Sequence, residues 1–354
     1  MDGYAVRAAD VAQVPVTLQV VGEIPAGTKP EMVIGRGQAA RILTGAMMPR
    51  EADAVVMQEE TELGEEEVTV LKAVEVGSFV RSRGSFCKAG AEILPVGRAI
   101  APADVALLAA AQQIRIDAYR RPRIAILSTG SELVAPGQVL GPGQIVDSNR
   151  YALSALVAQA GAVPIPLGIV SDERAVVKRG IADALSQADM VLSSGGVSVG
   201  DYDYVDAVLE ELGATLHVRS VAVKPGKPLT VATVGETGSR QVYFGLPGNP
   251  ASAMVGFWRF VAPAIRRLSG VEGAGGAAFV WARATSDLTA GGTRETYLWG
   301  ELRAGESGYE FERAEGGHSS GNLVNLANTS GLGIVPMGKT RIAAGDWVRV
   351  MACR

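Results

Sequence analysis

Short apolar runs alternate with helical patterns through the middle of the chain. Apolar runs of four to eight residues predict strands, and apolar residues that recur every three or four positions predict helices. Such alternation is typical of a mainly parallel sheet with helices on both faces. The predicted strands are Arg123–Leu127, Ala162–Leu167, Asp189–Ser193, Thr215–Val218, Leu229–Thr233 and Val242–Leu246. The predicted helices are Asn149–Ala160, Asp172–Gln187, Tyr204–Leu212 and Asn249–Leu268.

The flanking segments have a different pattern, in which Gly and Pro separate short strands. The first predicted strands are Val16–Val21, Ala39–Leu43, Ala54–Met57 and Val68–Leu71. Pro102 opens a predicted helix that runs to Gln113, and a short strand is predicted at Ile114–Ala118. We therefore predict four domains: a β-rich domain (1–83), a helical connecting domain (84–121), an α/β domain (122–270) and a C-terminal β-rich domain (271–354).

Composition excludes several classes of protein. The 354 residues are 47% hydrophobic and carry a net charge of −4, so the surface does not broadly attract nucleic acid or an anionic membrane. An anionic ligand therefore needs a local pocket. Two cysteines are too few for a disulfide framework and fit a cytoplasmic location. No uninterrupted apolar run is long enough to cross a bilayer.

Three strands of the predicted α/β sheet each lead into a loop rich in Gly, Ser and Thr. Ligands of such sheets lie outside the carboxyl ends of the strands, and glycine lets backbone N–H groups approach an oxyanion closely. One such loop is equally a structural turn, but three in one domain favour a phosphate-binding site. The candidate ligand-binding residues are Thr129, Gly130, Ser194, Gly195, Gly196, Ser198, Gly200, Pro247, Gly248, Asn249 and Pro250.

Cations and carboxylates are expected at the same edge of the sheet. Lys224 and Lys227 are held three apart by Pro and Gly, which indicates neutralisation of phosphates. Carboxylates beside an anionic ligand suggest a bridging divalent cation, most simply Mg²⁺. Each carboxylate is also a candidate helix cap or turn residue. The candidates are Glu132, Asp147, Asp172, Asp201 and Asp203.

These motifs together resemble the MoeA family of molybdopterin molybdenumtransferases, to which the gephyrin E domain is similar. The resemblance is carried by the opening Met1–Ala5, the Ser194–Asp203 loop, the Lys224–Pro228 turn and the Leu246–Ala251 loop. It implies a multidomain fold in which a doubly wound, mainly parallel sheet is flanked by β-rich domains, and it implies an elongated homodimer. Family members carry a helical segment before the Met-Asp-Gly-Tyr motif, so we expect an upstream segment to be missing here.

The resemblance also implies a reaction and partners. Adenylylated molybdopterin and molybdate become molybdenum cofactor and AMP, assisted by Mg²⁺ or another divalent cation. An upstream adenylyltransferase of molybdopterin and molybdoenzymes or their chaperones are expected partners, with no nucleic acid and no membrane. The family site forms between two subunits, which implies that Asp2 reaches the partner's pocket.

Residue roles follow from the same resemblance. The catalytic residues it implies are Asp2, Glu132, Asp172, Asp203, Lys224 and Lys227. Asp172 and Asp203 are the implied metal ligands. Arg294 and Ser320 are looser matches to contacts of the ligand, such as the oxyanion molybdate. Two positions depart from the family pattern: Phe86 stands where an acid is frequent, and Ser220 where a basic residue is expected, with Arg219 beside it as an alternative.

The lysines and loop amides are expected to stabilise charge on the phosphates. Two other readings stay open. One is a binding or scaffold protein that holds the ligand without turnover, and the other is a metal-dependent nucleotide pyrophosphatase on a related fold.

Overall fold

The computed structural model describes residues 2–196, 204–236, 240–273 and 276–353. By its internal contacts the chain divides into two compact units, Met1–Ile93 and Leu94–Arg354. The four domain boundaries drawn from sequence remain predictions. Among the described residues, no helix is both long and apolar enough to span a membrane.

The first unit is a six-stranded sheet in the order β4-β1-β3-β2-β6-β5. Its strands are β1 (Gly3–Val6), β2 (Val16–Ile24), β3 (Gln38–Ile42), β4 (Ala54–Met57), β5 (Thr61–Leu63) and β6 (Glu67–Val70), with 3₁₀ turns at Ala8–Val11 and Gln58–Glu60. Position 3 accepts only glycine, because a Cβ there would lie 2.1 Å from the carbonyl oxygen of Val56. That close approach explains the glycine of the Met-Asp-Gly-Tyr motif.

The second unit opens with the short helix α1 (Pro102–Ala110), which Pro102 starts as predicted. The strand predicted at Ile114–Ala118 is wrong, since residues 113–122 carry no regular secondary structure. No described strand lies beside this segment to complete a ladder, and Ile114 is 92% exposed. The helix also stops short of Gln113, because Gln112 adopts a positive φ of 58°.

The α/β domain contains the predicted alternation. Its elements are β7 (Arg123–Thr129), β8 (Leu133–Val134), β9 (Ile145–Val146), α2 (Asn149–Gln159), β10 (Val163–Val170), α3 (Arg174–Gln187), β11 (Met190–Ser194), α4 (Val205–Glu211), β12 (Thr215–Ser220), β13 (Val223–Lys224), β14 (Pro228–Val234), β15 (Gln241–Leu246), α5 (Pro250–Gly256) and α6 (Ala262–Leu268). The main sheet has the order β10-β7-β11-β15-β14-β12. The first four strands run parallel, β14 runs antiparallel to β15, and β12 runs antiparallel to β14.

Helices cover both faces of this sheet, which confirms the predicted doubly wound architecture. Leu153 of α2 and Phe257 pack on one apolar cluster, and Ile181 of α3 and Leu209 of α4 pack on another across the sheet. The helix predicted at Asn249–Leu268 is one continuous run, with a π-helical segment, Phe257–Val261, between α5 and α6. Pro263 follows that segment, and its missing N–H and bulky ring disfavour regular α-helical geometry there.

The C-terminal part is a small closed barrel. Its strands are β16 (Phe279–Ala284), β17 (Leu288–Thr289), β18 (Glu295–Gly305), β19 (Gly308–Arg313), β20 (Gly331–Val335), β21 (Arg341–Ile342) and β22 (Trp347–Ala352). Strands β18, β19, β16, β22 and β20 pair in sequence, and β20 pairs back with β18 to close the ring. Phe311 fills the barrel interior. On the outside, Trp299 and Tyr297 pack against Val255 of α5 and so join the barrel to the α/β domain.

Candidate active site

A cavity of about 1260 Å³ lies between the carboxyl ends of the parallel strands and the barrel. The predicted residues on its walls are Thr129, Gly130, Glu132, Asp172, Ser194, Gly195, Gly196, Lys224, Lys227, Pro247, Gly248, Asn249, Pro250, Arg294 and Ser320. Ser198, Gly200, Asp201 and Asp203 lie outside the described residues. A volume of this size accommodates a ligand as large as a dinucleotide.

The glycine loop after β11 lies directly against the end of β7. Gly195 has a φ of +94°, and a Cβ on it would lie 2.3 Å from the carbonyl oxygen of Thr129. The parallel register places Ser194 beside Ser128 on one side and Leu246 on the other. The sequence pattern therefore predicts this convergence correctly, since parallel strands that end together bring their loops to one edge.

Asp172 ties the loop after β10 to the loop after β7. Its Oδ2 accepts a hydrogen bond from the amide of Ser131 at 2.9 Å, and the Asp172 amide in turn donates to the Ser131 hydroxyl oxygen at 3.2 Å. Helix α3 begins after Glu173 with no side-chain cap, so Asp172 holds a loop rather than capping a helix. The neighbouring Glu132 carboxylate folds over Gly130 and pairs with no described residue.

Two further polar residues line this wall: Asp147, one of the carboxylates predicted at this edge, and Asn149, which was predicted only as the start of a helix. Asn149, 7% exposed, donates from Nδ2 to the carbonyl oxygen of Gly248 at 2.8 Å and to Ser194 Oγ at 3.1 Å. Asp147, 2% exposed, accepts from the Arg150 amide at 3.2 Å, as a capping side chain does, and its other oxygen lies 3.2 Å from Arg150 Nε. For Asn149 the available signal is its place directly after Asp147 and Ser148, between a strand and a helix start.

The lysine turn belongs to both walls. Strand β13 pairs in parallel with β18 of the barrel, with Lys224 opposite Thr296. Strand β14, which starts at Pro228, belongs to the α/β sheet, and the Val221 amide donates to the Lys227 carbonyl oxygen at 2.9 Å to close the turn. Lys224 and Lys227 are exposed and pair with no described carboxylate. The turn thus carries two uncompensated cations between the sheet and the barrel.

The barrel contributes Arg294 and the loop around Ser320. Arg294 Nη1 donates to the Val223 carbonyl oxygen at 3.2 Å, which fixes it beside the lysine turn. The Ser320 carbonyl oxygen accepts from the Ala251 amide at 2.9 Å. That bond uses one of the free N–H groups at the start of α5, and Pro250 has none, so the helix terminus offers fewer donors to a ligand than the sequence suggested.

His318 anchors the same loop. Its Nε2 lies 3.0 Å from the Ala314 carbonyl oxygen, and its ring lies on Trp299 with centroids 4.4 Å apart. Burial lowers the pKa of His318 below its usual range; the bond to Ala314 opposes this shift, and the charge of Arg313 reinforces it. The imidazole is therefore neutral at physiological pH.

Three further residues named from the sequence, Asp2, Phe86 and Arg219, have local partners. Asp2, in the first unit, accepts from the Thr44 amide at 2.9 Å and the Thr44 hydroxyl at 3.0 Å, and these bonds lower its pKa. Phe86, also in that unit, is 82% exposed beneath the guanidinium of Arg81. Arg219 pairs with two acidic residues of α4, Asp206 at 3.3 Å and Glu210 at 2.7 Å. It does not line the cavity, so it does not take the place of the basic residue expected at position 220.

The expected divalent cation requires hard oxygen donors at the cavity wall. Among the described residues no three His, Cys, Asp or Glu side chains form a metal-binding group. Asp172 does offer a carboxylate oxygen at the cavity wall, and hard oxygen donors suit Mg²⁺, which is usually held by one or two carboxylates together with water and substrate phosphates. The donor chemistry is therefore compatible with Mg²⁺, for which Asp172 offers one carboxylate among the described residues.

Comparison with known proteins gives the same assignment along the whole chain. Residues 1–111 match the MoeA N-terminal region (domain I and II), residues 125–267 a probable molybdopterin binding domain, and residues 281–353 the MoeA C-terminal region (domain IV). A molybdopterin molybdenumtransferase of Nostoc sp. is 52% identical over 99% of this chain and 81% of its own length. Molybdopterin molybdenumtransferase 1 of Mycobacterium tuberculosis is 36% identical over 99% of this chain and 87% of its own length.

A solved structure supports the fold. The molybdopterin biosynthesis MoeA protein of Pyrococcus horikoshii aligns with a TM-score of 0.79 and 31% identity, covering 100% of this chain and 86% of that one. Sequence, architecture and site geometry agree, and this chain belongs to the MoeA family of molybdopterin molybdenumtransferases.

Proposed function

We propose that this chain transfers molybdenum from molybdate to adenylylated molybdopterin and releases AMP and molybdenum cofactor. The observation that carries the proposal is the lysine turn, which presents Lys224 and Lys227 between the glycine loops and the barrel. A pyrophosphate bound there meets backbone amides on one side and cations on the other. The family membership and the size of the cavity support a ligand of this kind.

The side chains would act mainly by electrostatics. Donors and cations fixed in place before the reaction stabilise charge that develops on the departing phosphate. Gly195 and Gly196 let the backbone approach the phosphates, and the lysines neutralise them. The unpaired carboxylate of Glu132 would orient water or accept a proton at the cavity wall.

Mg²⁺ is part of the proposal. Asp172, together with Asp203 outside the described residues, would hold it, and when bound it neutralises phosphate charge and fixes the geometry of the pyrophosphate. Asp172→Asn should raise the Mg²⁺ concentration needed for half-maximal turnover, while Asp183→Asn on the exposed face of α3 should not. An unchanged Mg²⁺ requirement in Asp172→Asn would remove Asp172 from the metal site.

The decisive assay is AMP release from purified adenylylated molybdopterin, with and without molybdate. We expect AMP release that depends on molybdate, and a product that activates an apo-molybdoenzyme. Asp203→Ala should abolish that release and keep the fold. Binding without release indicates a scaffold protein, and release from ordinary dinucleotides without any effect of molybdate indicates a pyrophosphatase.

Assembly and location complete the proposal. A cytoplasmic homodimer, in which Asp2 of one subunit serves the site of the other, is inferred from the family resemblance. Sedimentation equilibrium gives the mass of the particle directly. A mixed dimer of Asp2→Ala and Asp203→Ala chains should regain part of the activity if the site is shared, and none if it is not.

A further inference from the structure

Arg313 is a half-buried cation that has no ion-pair partner among the described residues. It ends strand β19 and lines the cavity from the barrel side. The preceding residue, Glu312, points to the opposite face and pairs with Arg303 at 2.9 Å, as alternation along a strand requires. No described residue forms an ion pair or a side-chain hydrogen bond with the Arg313 guanidinium. Because no described side chain compensates its charge, the Arg313 guanidinium is available to an anionic ligand in the cavity.

The charges of the cavity are divided between its two walls. The carboxylates that line it, Glu132, Asp147 and Asp172, all belong to the α/β domain. Among described residues, the charged side chains on the barrel wall are Arg294 and Arg313 alone. An anionic group bound against the barrel wall therefore lies near two guanidinium groups and no described carboxylate.

The surroundings of Arg313 leave its charge available. His318 is neutral because burial lowers its pKa, so it neither adds a competing charge nor neutralises the arginine. Gly316 and Gly321 line the cavity in the same loop, and a Cβ on Gly321 would meet no described atom within 4 Å. Ser319 is exposed beside them and adds a hydroxyl donor.

We propose that Arg313 binds a tetrahedral oxyanion on the barrel wall, as a contact additional to Arg294 and the lysine turn. A guanidinium presents paired N–H donors that match two oxygens of such an anion, and charge-assisted bonds of this kind are strong. The oxyanion is either molybdate or the phosphate of the nucleotide. This inference deepens the proposed function and rests on it for the identity of the ligand.

The test is equilibrium binding by calorimetry with three separate probes: sodium molybdate, inorganic phosphate and AMP. Arg313→Gln should lower the affinity for at least one of these probes by about tenfold. Arg313→Lys keeps the charge but loses the paired N–H donors, so its affinity should lie between those of the wild type and Arg313→Gln. Arg303→Gln is the matched control, because it removes the same charge from the exposed outer face of the barrel. Thermal unfolding checks that all variants remain folded.

The pattern of losses identifies the ligand. Weaker molybdate binding alone assigns the contact to the metal oxyanion, and weaker AMP binding assigns it to the nucleotide phosphate. If Arg313→Gln binds all three probes as tightly as Arg303→Gln does, the inference is wrong, even when the wild-type chain turns over. If the wild-type chain shows no molybdate-dependent AMP release but Arg313→Gln still loses affinity, the binding site stands and the proposed function fails.

Discussion

The side-chain amide of Asn149 donates a hydrogen bond to the carbonyl oxygen of Gly248 at 2.8 Å. The same nitrogen lies 3.1 Å from Ser194 Oγ. One side chain at the start of α2 therefore joins the loops that follow β11 and β15, the two loops that cradle the proposed pyrophosphate. This link fixes the distance between two groups of backbone donors before any ligand arrives.

Replacing Asn149 by Ala should weaken both the fold and the site. The Gly248 carbonyl oxygen and the Ser194 hydroxyl lose a buried partner, which typically costs about 1–3 kcal/mol of unfolding free energy. We also expect weaker AMP binding, because the hydrogen bonds that hold the two loops at a fixed distance are lost. Urea unfolding and calorimetry measure the two effects. Asn328→Ala, at an exposed position away from the cavity, is the matched control and should change neither.

Replacing Gly195 should destabilise the fold through a steric collision as well as through backbone strain. Both Gly195 (φ +94°) and Gly213 (φ +77°) disfavour a side chain, but only at Gly195 would a Cβ collide with backbone, the Thr129 carbonyl oxygen. Gly195→Ala should therefore destabilise the chain by about 1–3 kcal/mol more than Gly213→Ala does. The comparison is made by urea unfolding, and equal losses in the two variants would show that the collision is relieved by a loop shift.

Local patterns in the sequence predict the α/β sheet well because each strand and helix carries its own periodicity. The meeting of Gly195 with Thr129 follows from the same logic, since parallel strands end at one edge. The strand predicted at Ile114–Ala118 fails because a strand needs a neighbour, which is a property of the fold and not of five residues. The π-helical turn before Pro263 is likewise invisible to a pattern with a regular period.

The site was only partly predictable for a similar reason. Asn149 acts on a carbonyl 99 positions away, and no local pattern reports such a contact. The composition of the lysine turn predicts two cations at the site, but it does not predict that the turn pairs with the barrel strand that carries Thr296. Arg313 is one arginine among many in the sequence, and only its place on the cavity wall distinguishes it.

Lys227 should contribute to anion binding without contributing to stability. Its side chain is exposed and unpaired with any described carboxylate, so Lys227→Gln should change the unfolding free energy by less than about 0.5 kcal/mol. Affinity for AMP should fall severalfold, and the remaining affinity should depend less steeply on salt, because exposed charges are screened by ions. Lys339→Gln, an exposed lysine away from the cavity, tests whether net charge alone explains the change. Equal losses in both variants would exclude a specific contact.

His318 should make the stability of the second unit depend on pH. Its pKa in the folded chain lies below the ordinary 6.5, chiefly through burial. The unfolded chain therefore binds a proton more readily than the folded chain, and stability falls as pH drops below about 6.5. His318→Gln should remove this slope, because it removes the titrating imidazole. Unfolding midpoints measured between pH 7.5 and 5 report it.

The control for His318 is the other histidine of the chain, His217. It is exposed on strand β12 and its side chain contacts Thr233 on β14. His217→Gln removes the other histidine and leaves the contacts of His318 intact. The charge of Arg313 helps to lower the pKa of His318 in the folded chain. Arg313→Gln should therefore bring that pKa closer to its value in the unfolded chain and make the dependence of stability on pH shallower. A slope that survives in His318→Gln would assign the effect to carboxylates and would contradict a buried, neutral imidazole in the loop that carries Ser320.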